Sequence, residues 1–333
     1  MNNHFWNTNW FRVSLGTLIS IVFLILAVKD VPLGDVSQAL ARANYLWILL
    51  AAVAIVAQSW LRTVRWVIFY YPEQKGLRVL QMLGIVLISQ MLNIVVPWRV
   101  GELARIYLMG EIEKRSKAQT LATLGVEKFF DTLMLLLLLL IIPPFMTLPN
   151  WLEGPRESLV VLAIGLFVVV VVLLIFRERL IRLLSNFHLP WSKKSIGEIT
   201  RLALGSLDVL KRWDLHLGLQ ILSMIVWLMG VIVNYLVFLS LNLELPLISA
   251  FLLMAVLQIG GIVPSSPGKV GVFQALCILT LALFSVDKSI GLTYGILLSL
   301  VAYGTPVVLG VLSLWWGGVN LQRITASQTE ALP

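Results

Sequence analysis

The chain has 333 residues, of which 59% are hydrophobic and 13% are charged, and it carries a net charge of +8. Soluble domains are roughly 45–50% apolar and about 25% charged, so this composition excludes a chain whose only solvent is water. One cysteine excludes an intrachain disulfide framework, and three scattered histidines argue against a histidine-based metal site, so we expect neither a metal nor a cofactor. The basic residues are concentrated in a few loops, which indicates membrane orientation and no nucleic-acid partner.

Six apolar runs are long enough, or nearly long enough, to span a bilayer as helices, which takes about 20 residues. In chain order these runs are 12–28, 45–61, 119–142, 158–176, 215–240 and 289–316. Two further runs, 79–96 and 247–263, end in breaks rich in proline and glycine. Each break precedes another helical stretch, 101–112 after the first and 268–284 after the second.

The distribution of lysine and arginine assigns the loops to the two sides of the membrane. Three basic segments belong in the cytoplasm by the positive-inside rule: 62–78, 111–118 and 177–214. The segments 143–157 and 241–246 are poor in basic residues and are assigned to the outside. Segment 177–214 is also amphipathic enough to lie along the inner membrane surface.

This assignment predicts the fold class. Segment 79–112 begins and ends on the cytoplasmic side, so we expect it to enter the bilayer and return, and 247–285 should do the same from outside. We therefore predict an all-α polytopic membrane protein with about six spanning helices and two opposed re-entrant helical hairpins in an inverted repeat. In an alternative that the sequence leaves open, 79–96 crosses fully at about 1.5 Å per residue, and 98–118 lies outside.

The expected organisation is one integral membrane domain, 12–319, in the cell (plasma) membrane. Its first half is 12–142 and its second half is 215–319, with the cytoplasmic basic segment between them. Both termini should be cytoplasmic: 1–11 forms the amino terminus, and the polar residues 320–333 form a disordered tail. The sequence leaves the oligomeric state open.

The two breaks share the pattern P-x-(R/K)-V-G, as PWRVG at 97–101 and PGKVG at 267–271. A helix that begins inside the membrane exposes unpaired amide N–H groups and a partial positive charge. Lipid offers these groups no partner, whereas an anion, and phosphate in particular, does. We therefore predict that two helix starts, at Gly101 and near Gly268, face a shared cavity for an anionic headgroup.

The candidate binding set combines charged side chains with glycines that let a ligand approach the backbone. Its members are Arg99, Gly101, Glu102, Arg105, Gly268, Lys269 and Gly271. Glu102 and Arg105 stand three residues apart and are expected to form an intrahelical pair. In a purely structural alternative Arg99 pairs with Glu102 and caps the fold, although charges inside a membrane are costly and usually functional.

Two acids form a second candidate feature. Glu127 and Asp131 lie four residues apart, so both occupy one face of the predicted helix 119–142. Exposure to lipid would be expensive at that depth, so this acidic face should be buried in the bundle. We expect both acids to pair with basic residues, namely Arg99, Arg105 or Lys269. Whether they relay protons or only balance charge stays open.

Three motifs stand out in chain order: NIVVPWRVGELARIYLM at 93–109, VEKFFDTLML at 126–135 and IVPSSPGKVGVFQALCIL at 262–279. Together they resemble the membrane domain of lysylphosphatidylglycerol synthases, a family whose stand-alone members are called flippase-like domain proteins. The resemblance covers about residues 10–320. The third motif departs from the family's usual P-G-G-x-G-x-x-E, because Lys269 replaces a glycine and Gln274 replaces the glutamate.

The resemblance implies movement of a lipid between leaflets, either a modified phospholipid or a polyprenyl-phosphate-linked sugar. Lys269 would favour a more anionic ligand, and the loss of the glutamate at 274 would weaken repulsion of one. The soluble aminoacyl-transferase half of the full synthases lies outside these 333 residues, so we expect that this chain does not make aminoacyl lipids itself.

Three functions are compatible with these features. The favoured one is a lipid flippase, not an enzyme, whose partner is a membrane lipid with an anionic headgroup. The second is a membrane-embedded enzyme or enzyme subunit acting on lipid-linked substrates, with Glu127 or Asp131 as general base. The third is a non-transporting anchor or regulator of a partner enzyme of lipid or cell-envelope synthesis, acting through 177–214.

Overall fold

The computed structural model describes residues 20–29, 31–96, 100–142, 144–146, 213–261 and 267–316, together with helical positions between 157 and 183. Every regular element within these residues is helical, beginning with residues 20–28. Ten further helices are labelled in chain order: α1 Leu33–Arg42, α2 Tyr45–Ile68, α3 Val79–Val95, α4 Gly101–Ile112, α5 Lys117–Ile141, α6 Trp213–Ser240, α7 Leu247–Gly260, α8 Val272–Ala282, α9 Lys288–Ser299 and α10 Thr305–Trp316. A 3₁₀ turn, Pro267–Lys269, precedes α8, and a π-helical turn, Leu300–Gly304, joins α9 to α10.

Three stretches of the described residues are long and apolar enough to span a membrane: Tyr45–Ile68, Leu215–Ser240 and Lys288–Trp315. They confirm the helical runs predicted at 45–61, 215–240 and 289–316. Helix α5 covers the run predicted at 119–142, but the charges within it lower its hydropathy. The runs 12–28 and 158–176 are only partly described, so the count of six spans stays a prediction.

The outward faces of the long helices are apolar. On α2, Leu46 and Leu49 are each 61% exposed and Val53 is 56% exposed, at the i, i+3, i+7 spacing of one helix face. An apolar stripe of this kind on a protein surface marks contact with lipid or a partner. Together with the three long apolar stretches, it identifies an integral membrane protein.

At the positions of the two predicted hairpins, short helices pack on each other in pairs, α3 with α4 and α7 with α8. The four helices have 17, 12, 14 and 11 residues respectively. At about 1.5 Å per residue they measure about 26, 18, 21 and 17 Å, each below the roughly 30 Å of the hydrocarbon core. These lengths suit helices that enter and return, and the re-entrant arrangement itself stays a prediction.

The second arm of the second hairpin begins later than predicted, at Val272 and not near Gly268. Gly268 has φ +72° and Gly271 has φ +88°, which are backbone angles outside the right-handed helix. The predicted helix start is therefore a non-helical turn that carries Lys269.

Contacts between elements bring the two halves of the chain together. Helix α2 packs most extensively on α6, and α10 packs on α3. The 3₁₀ turn of the second hairpin also contacts α3 of the first. The break at 267–269 therefore lies against the first hairpin, as the idea of a shared space between the two hairpins requires.

Helix α1 was not predicted from the sequence. It is amphipathic, with Val36 buried and Leu33 and Asp35 exposed, and it packs on α9. Its low mean hydropathy hides it from a search for apolar runs, because only one narrow face is apolar.

Candidate functional site

A polar cavity of about 290 Å³ lies between the two halves of the chain. Helices α2 and α3 line it from the first half, and α6, α7, α8, the 3₁₀ turn and the π-helical turn line it from the second. Its polar lining consists of Gln58, Ser59, Arg62, Gln90, Asn93, Asn234, Gln258, Lys269 and Tyr303. So many polar side chains among apolar helices indicate a site for a polar group.

The cavity is cationic. Arg62 and Lys269 line it, and none of the described lining residues is an acid. The Nε atom of Arg62 is buried without a hydrogen-bond partner, and Arg62 forms no ion pair with any acid in the described part of the chain. A guanidinium held among apolar helices without a directly paired carboxylate is costly, so it is suited to receive an anion.

Hydrogen bonds hold several of the lining amides in place. Gln58 donates its Nε2 hydrogen to the Val226 carbonyl at 2.8 Å, and Asn234 donates its Nδ2 hydrogen to the Ala250 carbonyl at 3.3 Å. Ser59 donates to Oε1 of Gln90 at 3.3 Å. These bonds tie α2 to α6, α6 to α7 and α2 to α3, so the walls of the cavity are cross-linked.

The turn at 267–271 presents Lys269 to the cavity. Lys269 itself has φ +53°, a left-handed conformation that non-glycine residues rarely adopt, and it follows Gly268 at φ +72°. Two consecutive left-handed residues reverse the chain between α7 and α8. Gly268 shapes this turn and is absent from the described lining of the cavity.

The first amide of α4 already has a partner. Gly101 donates its backbone N–H to Oδ1 of Asn93 at 2.8 Å, across the break of the first hairpin. A Cβ atom at Gly101 would collide with the Ser89 carbonyl and come within 2.6 Å of the Asn93 side chain. The prediction that this glycine serves ligand approach is therefore wrong: it serves close packing of α3 on α4.

The start of α8 is also occupied. Gly271 donates its N–H to Oε1 of Gln274 at 2.8 Å, and Gln274 reaches Oγ of Ser299 at 3.5 Å. A Cβ atom at Gly271 would collide with the Ser20 carbonyl and approach the Leu24 amide nitrogen to 2.8 Å. The prediction of free amides is therefore wrong for the N–H groups of Gly101, the first residue of α4, and Gly271, which directly precedes α8, because Asn93 and Gln274 already accept from them.

A buried ion-pair cluster lies on α2, α4 and α5. Nη1 of Arg105 is 2.8 Å from Oε2 of Glu127, and Nη2 of Arg65 is 2.9 Å from Oδ1 of Asp131 and 3.6 Å from Oε1 of Glu127. Helix α6 completes the cluster with two hydrogen bonds: Arg65 donates to Oγ of Ser223, and the Trp227 indole N–H donates to Oδ1 of Asp131. The predicted pairing of Glu127 with Arg105 is confirmed, whereas Asp131 pairs with Arg65, which is not one of its three predicted partners. The acidic face is turned into the bundle.

The expected intrahelical pair of Glu102 with Arg105 is wrong. Glu102 lies 3.4 Å from Nζ of Lys128, and Arg105 turns towards Glu127. The Arg105 guanidinium also lies 3.6 Å from the centre of the Trp66 ring. Arg105 is ion-paired with a carboxylate and stacked on an aromatic ring, and of its buried nitrogen atoms only Nε lacks a hydrogen-bond partner, so it is not available as a headgroup ligand in this conformation.

Aromatic residues brace the end of α2 beside this cluster. Trp66 donates to Oγ1 of Thr123 at 3.1 Å, and Tyr70 donates to Oγ1 of Thr120 at 2.8 Å. Burial raises the pKa of Tyr70 to about 12, so this hydroxyl stays protonated and keeps its donor role. The contact fixes α2 against α5 and thereby the positions of the arginines on α2.

Sequence reasoning placed Lys269 correctly at the cavity but missed Arg62 and Arg65. Both were assigned to the cytoplasmic loop 62–78, because the apolar run stops at Leu61, whereas α2 continues to Ile68. A signal was available: Gln58 and Arg62 are four residues apart and share one helix face with Ser59.

Arg99 lies outside the described residues, as do the termini 1–11 and 320–333 and most of the basic segment 177–214. Within the described residues no group of His, Cys, Asp or Glu side chains is placed to hold a metal ion.

Comparison with known proteins agrees with the architecture. Residues 13–310 match the family described as the lysylphosphatidylglycerol synthase TM region. A UPF0104 membrane protein of Methanocaldococcus jannaschii is 22% identical over 318 residues, which cover 89% of this chain and 92% of that protein. One from Methanothermobacter thermautotrophicus is 20% identical over 324 residues, covering 92% and 96%. No solved structure matches the chain with significance.

Proposed function

The chain belongs to the family of the lysylphosphatidylglycerol synthase transmembrane region, and from this premise we propose that it moves a lipid with an anionic headgroup between the leaflets of the cell membrane. The headgroup occupies the cavity between the two hairpins while the acyl chains remain in the surrounding lipid. The observation that carries the proposal is Arg62, a partly buried arginine that lines the cavity without a described carboxylate partner.

The two arginines near the end of α2 differ in their ion pairs, and this difference distinguishes a ligand site from a structural one. One turn along the helix, Arg65 is fully buried and pairs with both Glu127 and Asp131. Arg62 forms no ion pair with an acid among the described residues, and it faces the cavity together with Lys269. A phosphate between them would interact with both cations, since the planar guanidinium can donate two parallel hydrogen bonds and the ammonium acts as a point charge.

The arrangement of elements supports a path for the headgroup. Both halves contribute a long apolar helix followed by a hairpin of short helices, α2 before α3–α4 and α6 before α7–α8. Discontinuous helices that meet around a central polar site are the usual plan of transporters built from two repeats. A polar cavity enclosed by such helices lowers the cost of carrying a charged group past the hydrocarbon core.

The same geometry disfavours an enzyme. An enzyme acting on lipid-linked substrates would use Glu127 or Asp131 as general base, and each of these carboxylates is held by an arginine within 3 Å. A carboxylate held by an arginine is a poor base, because the pair stabilises its deprotonated form. Neither acid belongs to the described lining of the cavity.

The test is leaflet exchange of a fluorescent anionic phospholipid in vesicles that contain the purified protein. Loss of one charge-assisted contact costs about 1.5–3 kcal/mol, so Arg62→Gln and Lys269→Gln should each slow exchange by roughly 10- to 100-fold. Arg42→Gln is the matched control, because Arg42 is exposed on α1 and does not line this cavity. Exchange by both cavity variants at the parent rate would show that the site is wrong.

Two further measurements separate the alternatives. A search for new lipid species by mass spectrometry, in cells with and without the chain, should find none if the chain only moves lipid. Neutralising the basic residues of 177–214 should leave exchange by the purified protein intact, whereas a regulator acting through that segment would lose its effect. The expected topology has its own test: reporter fusions at the amino and carboxyl termini should both report a cytoplasmic location.

A further inference from the structure

The lining of the cavity specifies more than an anion. Besides its two cations it presents five side-chain amides and two hydroxyl groups. On the basis of the proposed function, we infer that the transported headgroup is a phosphate ester that carries free hydroxyl groups, a polyol or a single sugar, and that it bears no ammonium group.

The donors and acceptors of the lining match a headgroup with hydroxyl groups better than a bare phosphate. A phosphate diester offers only acceptors, and the two cations already supply it with charged donors. An amide offers both donors and an acceptor, and the side-chain oxygens of Gln58, Asn234 and Gln258 accept from no described residue. These three amides would leave their carbonyl oxygens unpaired if they faced a bare phosphate. Hydroxyl groups both donate and accept, and they can pair with both ends of an amide.

Two of these amides are free to bind a ligand. Gln258 makes no side-chain hydrogen bond to any described residue, and Gln90 accepts one from Ser59 while its own NH₂ group donates to none of them. They come from α7 and α3, one from each hairpin. Their free hydrogen-bonding groups are therefore contributed by both halves of the chain to one ligand.

Size and charge limit the headgroup further. A volume of about 290 Å³ lies at the lower end of small-molecule sites, which span roughly 300–1,000 Å³, so the cavity suits one phosphate with one small polyol or sugar. An ammonium group would meet Arg62 and Lys269 with no described acid in the lining to offset the repulsion. Phe273 and Tyr303, with ring centres 5.1 Å apart, supply an apolar wall for the carbon face of such a group.

The test compares leaflet exchange of fluorescent lipids with identical acyl chains. Phosphatidylglycerol and phosphatidylpropanol have the same charge and nearly the same shape, and differ by two hydroxyl groups. A site built to hydrogen-bond hydroxyls rejects an analogue that lacks them, so phosphatidylglycerol should exchange at least about 10-fold faster. Lysylphosphatidylglycerol, which adds ammonium groups, should also exchange at least about 10-fold more slowly than phosphatidylglycerol.

Variants assign the preference to the named amides. Gln90→Met and Gln258→Met keep the side-chain length and remove the hydrogen-bonding groups. Each should therefore lower the exchange rate of phosphatidylglycerol towards that of phosphatidylpropanol and so reduce the ratio of these two rates. Gln38→Met, at an exposed position on α1, should leave the ratio unchanged.

The outcomes distinguish the two levels of the account. If no lipid exchanges, the proposed function fails and the inference falls with it. If phosphatidylglycerol and phosphatidylpropanol exchange equally, or if lysylphosphatidylglycerol matches phosphatidylglycerol, lipid movement stands and the hydroxyl-bearing headgroup is overturned. If the ratio is large and unaffected by both glutamine variants, the assignment to this lining is overturned.

Discussion

The substitution Glu127→Gln tests whether the buried ion-pair cluster stabilises the bundle. In the native protein Glu127 binds Arg105 at 2.8 Å and Arg65 at 3.6 Å, and its side chain is only 9% exposed. Arg65 keeps Asp131 at 2.9 Å after the change, but Arg105 loses its one carboxylate partner among the described residues. Arg105 is then a buried charge supported only by the Trp66 ring.

The magnitude follows from these contacts. Removing one partner of a buried pair costs about 3–5 kcal/mol, because the remaining charge is uncompensated. Asp131→Asn should cost less, about 1–2 kcal/mol, since Asp131 is 21% exposed and Arg65 retains Glu127. Lys128→Gln is the surface control: Lys128 is 60% exposed, and loss of its pair with Glu102 should cost less than about 1 kcal/mol.

The assay is reversible unfolding of the purified protein in mixed micelles, with the free energy of unfolding as readout. Combining Glu127→Gln with Arg105→Gln should recover part of the loss, with a coupling energy of about 1–3 kcal/mol, because the double variant leaves no unpaired charge at this pair. If Glu127→Gln costs no more than Lys128→Gln, the cluster does not stabilise the bundle and the reasoning is refuted.

Two further predictions concern packing and pH. Gly271→Ala should destabilise the protein by at least about 2 kcal/mol, since Gly271 has φ +88° and a Cβ atom there collides with residues 20–24. Gly125→Ala is the control: it lies in a helix with open space at the Cβ position and should stabilise the protein by about 0.5–1 kcal/mol. Equal unfolding free energies for the two variants would contradict this prediction. Asp287 caps α9 through the Ser289 N–H at 2.8 Å, and its hydrogen bonds to Ser289 hold its pKa below the ordinary 3.8. The stabilisation of α9 by ionised Asp287 is therefore present above about pH 4 and is lost as pH falls through the lowered pKa. Asp287→Asn should match the parent at pH 7, because asparagine is an equally good cap, and should lose less protection than the parent at pH 3. The readout is hydrogen exchange of the backbone amides in the first turn of α9.

The helical framework could be predicted because lipid leaves few options. Apolar runs of about 20 residues must be helices, and proline with glycine must interrupt them, so the long helices and the two pairs of short helices follow from hydropathy and from the proline and glycine positions. That Glu127 pairs with a basic residue follows from the cost of burying its charge alone, but the choice of Arg105 over Arg99 or Lys269 depends on the tertiary structure. These predictions rest on rules that hold whatever the neighbouring helices are.

The cavity could be predicted only in part. Hydropathy treats an arginine as the end of a span, so Arg62 and Arg65 were read as loop residues, although α2 extends two turns further. The helix starts were expected to be open because no sequence rule shows that Asn93 caps Gly101 from the preceding helix. Both errors have one cause: the position of a polar side chain depends on tertiary contacts.

The central claim is that Arg62 and Lys269 face one cavity that admits an anion. It is tested most directly by single cysteines, Arg62→Cys and Lys269→Cys, in a Cys277→Ala background that removes the one native cysteine. The account predicts that an anionic thiosulfonate labels each cysteine several-fold faster than a cationic one of similar size, and that glycerophosphate slows the reaction. Cysteines that react with neither reagent from either side of the membrane, or faster with the cationic one, would contradict it.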